Sequence, residues 1–179
     1  MQRRFLLAIA LLLWGQAQAT TSPLFSSINQ RLSHMPQVAL YKAQHKLPIE
    51  DISREKRVLA QALLAAEKAG LESQSVSAFF EAQIAAAKAI QYRYRAELLS
   101  RTMPPNGKDL TTQIRPALIR LGTQIIKQLT RRLQKGQPIS QQDWPAFEQA
   151  VQSPYLIEAD KRALFSSLLK IRLKQKRQA

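Results

Sequence analysis

Apolar residues in this chain recur at steps of three and four, and no long β-branched alternation competes with them. That is the period an α-helix needs to keep a stripe of side chains on one face. Phe25, Ile28, Leu32, Met35 and Val38 make one such stripe, and Phe80, Ile84 and Ala87 make a second. Between the helical runs stand the residues that stop helices: "LPIE" at 47–50, Gly70, "MPPNGK" at 103–108 and "KGQPIS" at 135–140. The chain has only five glycines and is rich in Ala, Leu, Gln, Lys and Arg. An all-α, single-domain bundle of about six helices is the expected fold.

The boundaries follow from the same residues. Ser22 as N-cap and Pro23 at the first helical position open a helix that runs to about His45, with a kink or a break at Pro36. Asp51 caps a second helix, which ends at Gly70 in the C′ position. A third covers about 76–99. A fourth covers 112–134, with Pro116 tolerable only in or near its first turn. A short helix at 145–151 and a last one at 158–174 complete the bundle, the tail "KIRLKQKRQA" reading as a frayed helix end.

The N-terminus has the three parts of an export signal: Arg3 and Arg4, an apolar run from Phe5 to Trp14, and small residues at Ala17 and Ala19. Residues 1–19 are read as a cleaved signal peptide and 20–179 as the mature domain. The apolar run falls short of the roughly 20 residues that span a bilayer, so no stable membrane insertion is expected after cleavage. Whether the destination is the periplasm or the medium is left open by such a signal.

The chain contains no cysteine and two histidines, His34 and His45, both read as surface residues. A Cys-based metal or redox site is excluded, and neither a metal nor another cofactor is expected. The formal charge is +15, or +13 without Arg3 and Arg4. Such a balance admits nucleic acid, membrane surfaces or small acids as partners. Export makes nucleic acid the poorest of the three, and none is expected.

The densest mixture of charges is "YKAQHKLPIEDISRE" at 41–55, placed at a helix junction. It is either a solvated loop or a pocket for a small anion. Arg31 lies eleven residues before Lys42, close to three full turns, so a straight helix would point both the same way. Arg54 and Glu55 fall in the first turn of the second helix, where free N–H groups and the dipole favour an anion. Gln91 stands one step of four beyond Ala87 and carries an amide into an apolar stripe, where it must find a partner.

The segments "INQRLSHMPQVALYKAQHKLPIEDISRE" and "VSAFFEAQIAAAKAIQYRYR" resemble the secreted, all-helical chorismate mutases, the gamma subclass of the AroQ type. The likeness covers about residues 24–175. It implies a chorismate mutase II-like bundle that converts chorismate to prephenate on the aromatic amino acid branch, without cofactor, in the periplasm or outside the cell. It also implies a homodimer with a complete pocket in each chain. In that family's pattern Arg31 and Arg54 hold carboxylates, Lys42 and Gln91 reach the ether oxygen, and Glu55 accepts the substrate hydroxyl with Asp51 nearby. The fourth helix supplies a further basic residue. The corresponding position here is Gln124, with Lys127 one turn on and Arg120 one turn back as alternatives. A second reading is a basic helical periplasmic binding or chaperone-like protein without catalysis.

Overall fold

A computed structural model describes residues 22–175, apart from 103, 105 and 106. The signal peptide assigned to residues 1–19 lies outside the described residues. Seven α-helices are present among those described: α1 Pro23–Ser33, α2 Met35–Gln44, α3 Ile52–Lys68, α4 Ser73–Leu98, α5 Arg115–Gln134, α6 Trp144–Ala150 and α7 Glu158–Leu168. The predicted first helix is α1 and α2 together. The break falls at His34, because Pro36 in the first turn of α2 has no N–H to continue the ladder.

The caps explain where the other helices begin and stop. Asp51 Oδ1 accepts the Arg54 backbone N–H at 2.9 Å and starts α3. Gly70, at φ +84, ends it, with the Leu71 N–H reaching back to the Ala66 carbonyl at 2.9 Å. Only glycine adopts that left-handed turn without strain. The start of α5 is less ordinary. Asp109 Oδ1 takes the N–H groups of Thr111 and Thr112, and residues Leu110–Ile114 form a π-helical turn that runs directly into Arg115 and Pro116.

The 26-residue α4, roughly 39 Å long at 1.5 Å per residue, is the central element. It packs against α2, α3 and α7, and α1 packs against α5. An aromatic cluster locks the end of the bundle formed by α1, α6 and α7. Phe25 meets Phe147 edge-on at 5.3 Å, and Phe165 lies 5.2 Å from both Phe147 and Trp144. Phe79, Phe80, Leu164 and Leu168 are buried, and Trp144 and Leu169 pack against the same core.

The last helix differs from expectation. It stops at Leu168, and residues 171–174 run extended across the α3–α4 turn instead of continuing the helix. The Glu72 N–H donates to the Arg172 carbonyl and the Lys174 N–H to the Gly70 carbonyl, each at 2.9 Å. Ile171 is buried, and Arg172 and Lys174 pair with Glu72 and Glu67. These contacts compensate for the lost helical bonds, so "KIRLK" is docked rather than frayed. Removing residues 171–179 should cost about 2–4 kcal/mol, mostly through the apolar burial of Ile171 and its neighbours. Urea denaturation followed by circular dichroism measures this; an unchanged midpoint would show that the segment contributes nothing.

Candidate active site

One cavity of about 220 Å³ opens between α3, α4 and α5, with α1 and α2 closing its base. Its apolar wall comes from Met35, Val38, Val58, Phe80, Ile84 and Ile126. Its polar wall includes Arg31, Lys42, Asp51, Arg54, Glu55 and Gln91, which the structure therefore brings together. The break at His34 does not separate Arg31 from Lys42. Half of the charge cluster at 41–55 faces the cavity; the rest is loop, with His45, Lys46 and Glu50 exposed. His45 stacks on Tyr41 at 3.9 Å and takes no part in the cavity.

Two of the cations, Arg31 and Lys42, are anchored by neutral oxygens. Arg31 donates from Nε to Gln83 Oε1 at 2.6 Å and from Nη1 to the Leu118 carbonyl at 3.2 Å. Burial lowers its guanidinium to about 10, so it stays charged at neutral pH. Lys42 Nζ donates to the Ile49 carbonyl at 2.5 Å, which leaves two of its three N–H bonds free. Desolvation lowers the Lys42 ammonium below its ordinary value, although Asp51 and Glu55 pull the other way. Arg54 is lowered too, first by burial and then by Arg115 and Arg57.

Gln91 is buried and donates from Nε2 to the Ala87 carbonyl at 3.0 Å, with only a 3.8 Å contact to Met35 Sδ besides. Its Oε1 has no partner. The unpartnered atom is an acceptor, and the N–H that meets only the weak acceptor Met35 Sδ is the donor the amide can turn to a ligand.

The fourth-helix assignment needs correction. Gln124 is exposed and does not line the cavity, and Arg120 and Lys127 are exposed with it. The three fall on one solvent stripe at steps of four and three. The face of α5 that reaches the cavity is Arg115, Leu118, Ile119, Gly122, Thr123 and Ile126. Arg115 is thus the α5 cation at the site, presented where the π-helical turn hands over to the α-helix. Its spacing of three, four and seven from Leu118, Ile119 and Gly122 was a signal in the sequence. Lys88 is the other residue that sequence reasoning missed; it lines the cavity three residues before Gln91.

Among the described residues, Arg31, Lys42, Arg54 and Arg115 make no salt bridge to a carboxylate. Four cations without a salt-bridge partner on an apolar floor, with one buried amide among them, give this helical bundle a cavity whose charge and lining suit a small, partly apolar anion.

Comparison with known proteins narrows that class. The sequence profile of the family described as chorismate mutase type II matches residues 16–92. The chain is 38% identical to the secreted chorismate mutase of Yersinia pestis, over 93% of this chain and 88% of that protein. It is 43% identical to a monofunctional chorismate mutase of Enterobacter agglomerans, over 83% of this chain and 81% of that one. The fold is similar to the crystal structure of the Yersinia pestis protein, with a TM-score of 0.81 over 87% of this chain and all of that one. It is also similar to a chorismate mutase structure from Burkholderia phymatum, at 27% identity and a TM-score of 0.69, over 86% of this chain and 96% of that one. The chain belongs to the type II chorismate mutase family.

Because an anion bound by the folded state alone shifts the folding equilibrium, a small cyclic dicarboxylate should raise the melting temperature in a saturable way. At a concentration of 100 Kd the gain is about 2.7 kcal/mol. Sodium chloride at equal ionic strength should not reproduce it, and Arg54→Ala should abolish it. A shift of the same size in Arg54→Ala would place the bound anion elsewhere.

Proposed function

We propose that this protein is an exported chorismate mutase that converts chorismate to prephenate in the cavity between α3, α4 and α5. The observation that carries the reading is that Lys42 and Gln91 share one cavity with three arginines that have no acid partner. The reaction is a unimolecular rearrangement: the ether C–O bond breaks as a C–C bond forms within the same molecule. No group need be transferred to the protein. The barrier falls when the substrate is held in its reactive, folded conformer and when charge developing on the ether oxygen meets fixed donors.

The residues divide that work by their positions. Arg31, Arg54 and Arg115 take the two carboxylates, and the free N–H groups at the start of α3 assist Arg54. Lys42 offers two free N–H bonds to the ether oxygen. Gln91 offers the amide N–H that its bond to Ala87 leaves over. Glu55, with Asp51 beside it, accepts the substrate hydroxyl. Export is supported by the residue pattern at 1–19 and by the similarity to a protein named as secreted.

Loss of chorismate absorbance on addition of the purified mature chain tests the activity directly, and no measurable rate would remove the reading. Arg54→Ala and Arg115→Ala should each lower kcat/KM by about a hundredfold or more, whereas Gln124→Ala should stay within about twofold of the parent because an exposed residue makes no substrate contact. Equal losses for Arg115→Ala and Gln124→Ala would contradict the placement of the α5 cation.

The pH profile gives a separate test. None of the groups in contact with substrate has an ordinary pKa between about 5 and 8, and an amide at position 91 donates at any pH. Turnover should therefore be flat across that window. It should fall on the alkaline side below the ordinary lysine value, as the burial-lowered Lys42 loses its proton. A steep change between pH 5 and 8 in the isolated enzyme would count against these roles.

A further inference from the structure

Lys88 has no place in the division of labour above, yet it projects into the same cavity from α4. Its ammonium lies 3.2 Å from Glu55 Oε2 and 3.6 Å from Glu50 Oε1, bridging α4 to the start of α3. The pairing raises its pKa, chiefly through the hydrogen bond to Glu55, which favours the charged ammonium. The other oxygen of Glu55 is turned towards the Asp51 N–H, 3.4 Å away. Glu55 is therefore held from two sides, by an ammonium and by a helix-start N–H.

The cations that face Glu55 make that restraint consequential. Lys42 feels the charge of Glu55 already, and it has N–H bonds to spare. A carboxylate free to rotate would close an ion pair with Lys42 and neutralise the group that the substrate needs.

We infer that Lys88 is a positioning residue that ties the Glu55 carboxylate to the hydroxyl end of the cavity and so keeps Lys42 unneutralised for the anionic substrate. The inference rests on the chorismate mutase reading and adds to it a residue that acts through Glu55. It explains why a fifth cation lines a cavity already rich in positive charge: its charge is spent on an acid rather than on the ligand. A lysine whose stem only covered the α3–α4 seam would do the same packing work with its charge removed, and methionine tests that difference.

A double-mutant cycle between positions 88 and 55 separates the possibilities. Lys88→Met should raise KM about five- to tenfold while kcat moves less than about threefold, because a freed Glu55 competes with substrate for Lys42. Lys88→Arg should restore KM to within about threefold, since a guanidinium can also hold the carboxylate. In a Glu55→Gln background the Lys88→Met change should alter KM by less than about twofold, because a neutral amide cannot neutralise Lys42. An unchanged KM in the single variant would overturn the inference. An equal rise in both backgrounds would also overturn it, because Lys88 would then act on the substrate itself.

Circular dichroism confirms that each variant is folded, and Lys88→Gln takes the place of the methionine variant if that one is not. Running the same cycle on the affinity for a small cyclic dicarboxylate reads the pairing without turnover. A parent that fails to consume chorismate therefore sinks the functional reading, and a flat cycle sinks the role of Lys88.

Discussion

Positive charge held without its counter-ion is the constraint around which this bundle is arranged. Arg31, Lys42, Arg54 and Arg115 come from four different helices and meet at one cavity, and among the described residues none forms a salt bridge with a carboxylate. Such an arrangement is unfavourable to the folded chain: burial lowers the affinity of Arg31, Lys42 and Arg54 for their protons, and the charge of Arg115 adds to that at Lys42 and Arg54. The structure anchors two of the four with neutral oxygens instead of acids: Gln83 and the Leu118 carbonyl for Arg31, the Ile49 carbonyl for Lys42. A carbonyl fixes direction without cancelling charge. The site is thus preorganised for an anion before one arrives, which is where electrostatic catalysis has its advantage over water.

The rest of the molecule supplies stiffness. The aromatic cluster of Phe25, Trp144, Phe147 and Phe165 shares no residue with the cavity. The extended segment at 171–174 ties the α3–α4 turn, from whose two helices come Arg54, Glu55, Lys88 and Gln91. With no cysteine available, that docking does part of what a disulfide does in domains that have one.

Most of the fold was legible in the sequence because its signals are local. Asp51, Gly70 and Pro23 mark helix ends by capping chemistry, and each stands where it was expected. Arg31, Lys42, Arg54, Glu55 and Gln91 line one cavity, as helical spacing and a capped first turn lead one to expect, and the break at His34 leaves Arg31 and Lys42 facing it together. The α5 position was carried by the family pattern rather than by phase: Gln124 corresponds to that pattern but is exposed, whereas Arg115 shares the spacing of Leu118, Ile119 and Gly122 and lines the cavity. The tail failed for a different reason. "KIRLK" has good helix propensity, but tertiary pairing with Gly70 and Glu72 outweighs it. Lys88 was overlooked because a lysine beside Ala87 on a polar-looking step reads as solvent-facing until Glu55 is seen opposite it.

The claim beneath this account is that an unneutralised ammonium at position 42 stabilises the charge that develops in the rearrangement. Lys42→Met keeps the length and apolar stem of the side chain and removes only the charge and its donors, so the kcat of that variant is the most direct measurement. A fall in kcat of about a hundred- to a thousandfold, in a protein that stays folded and is still stabilised by a cyclic dicarboxylate, is the predicted result. A variant that turns over chorismate within about tenfold of the parent would contradict it.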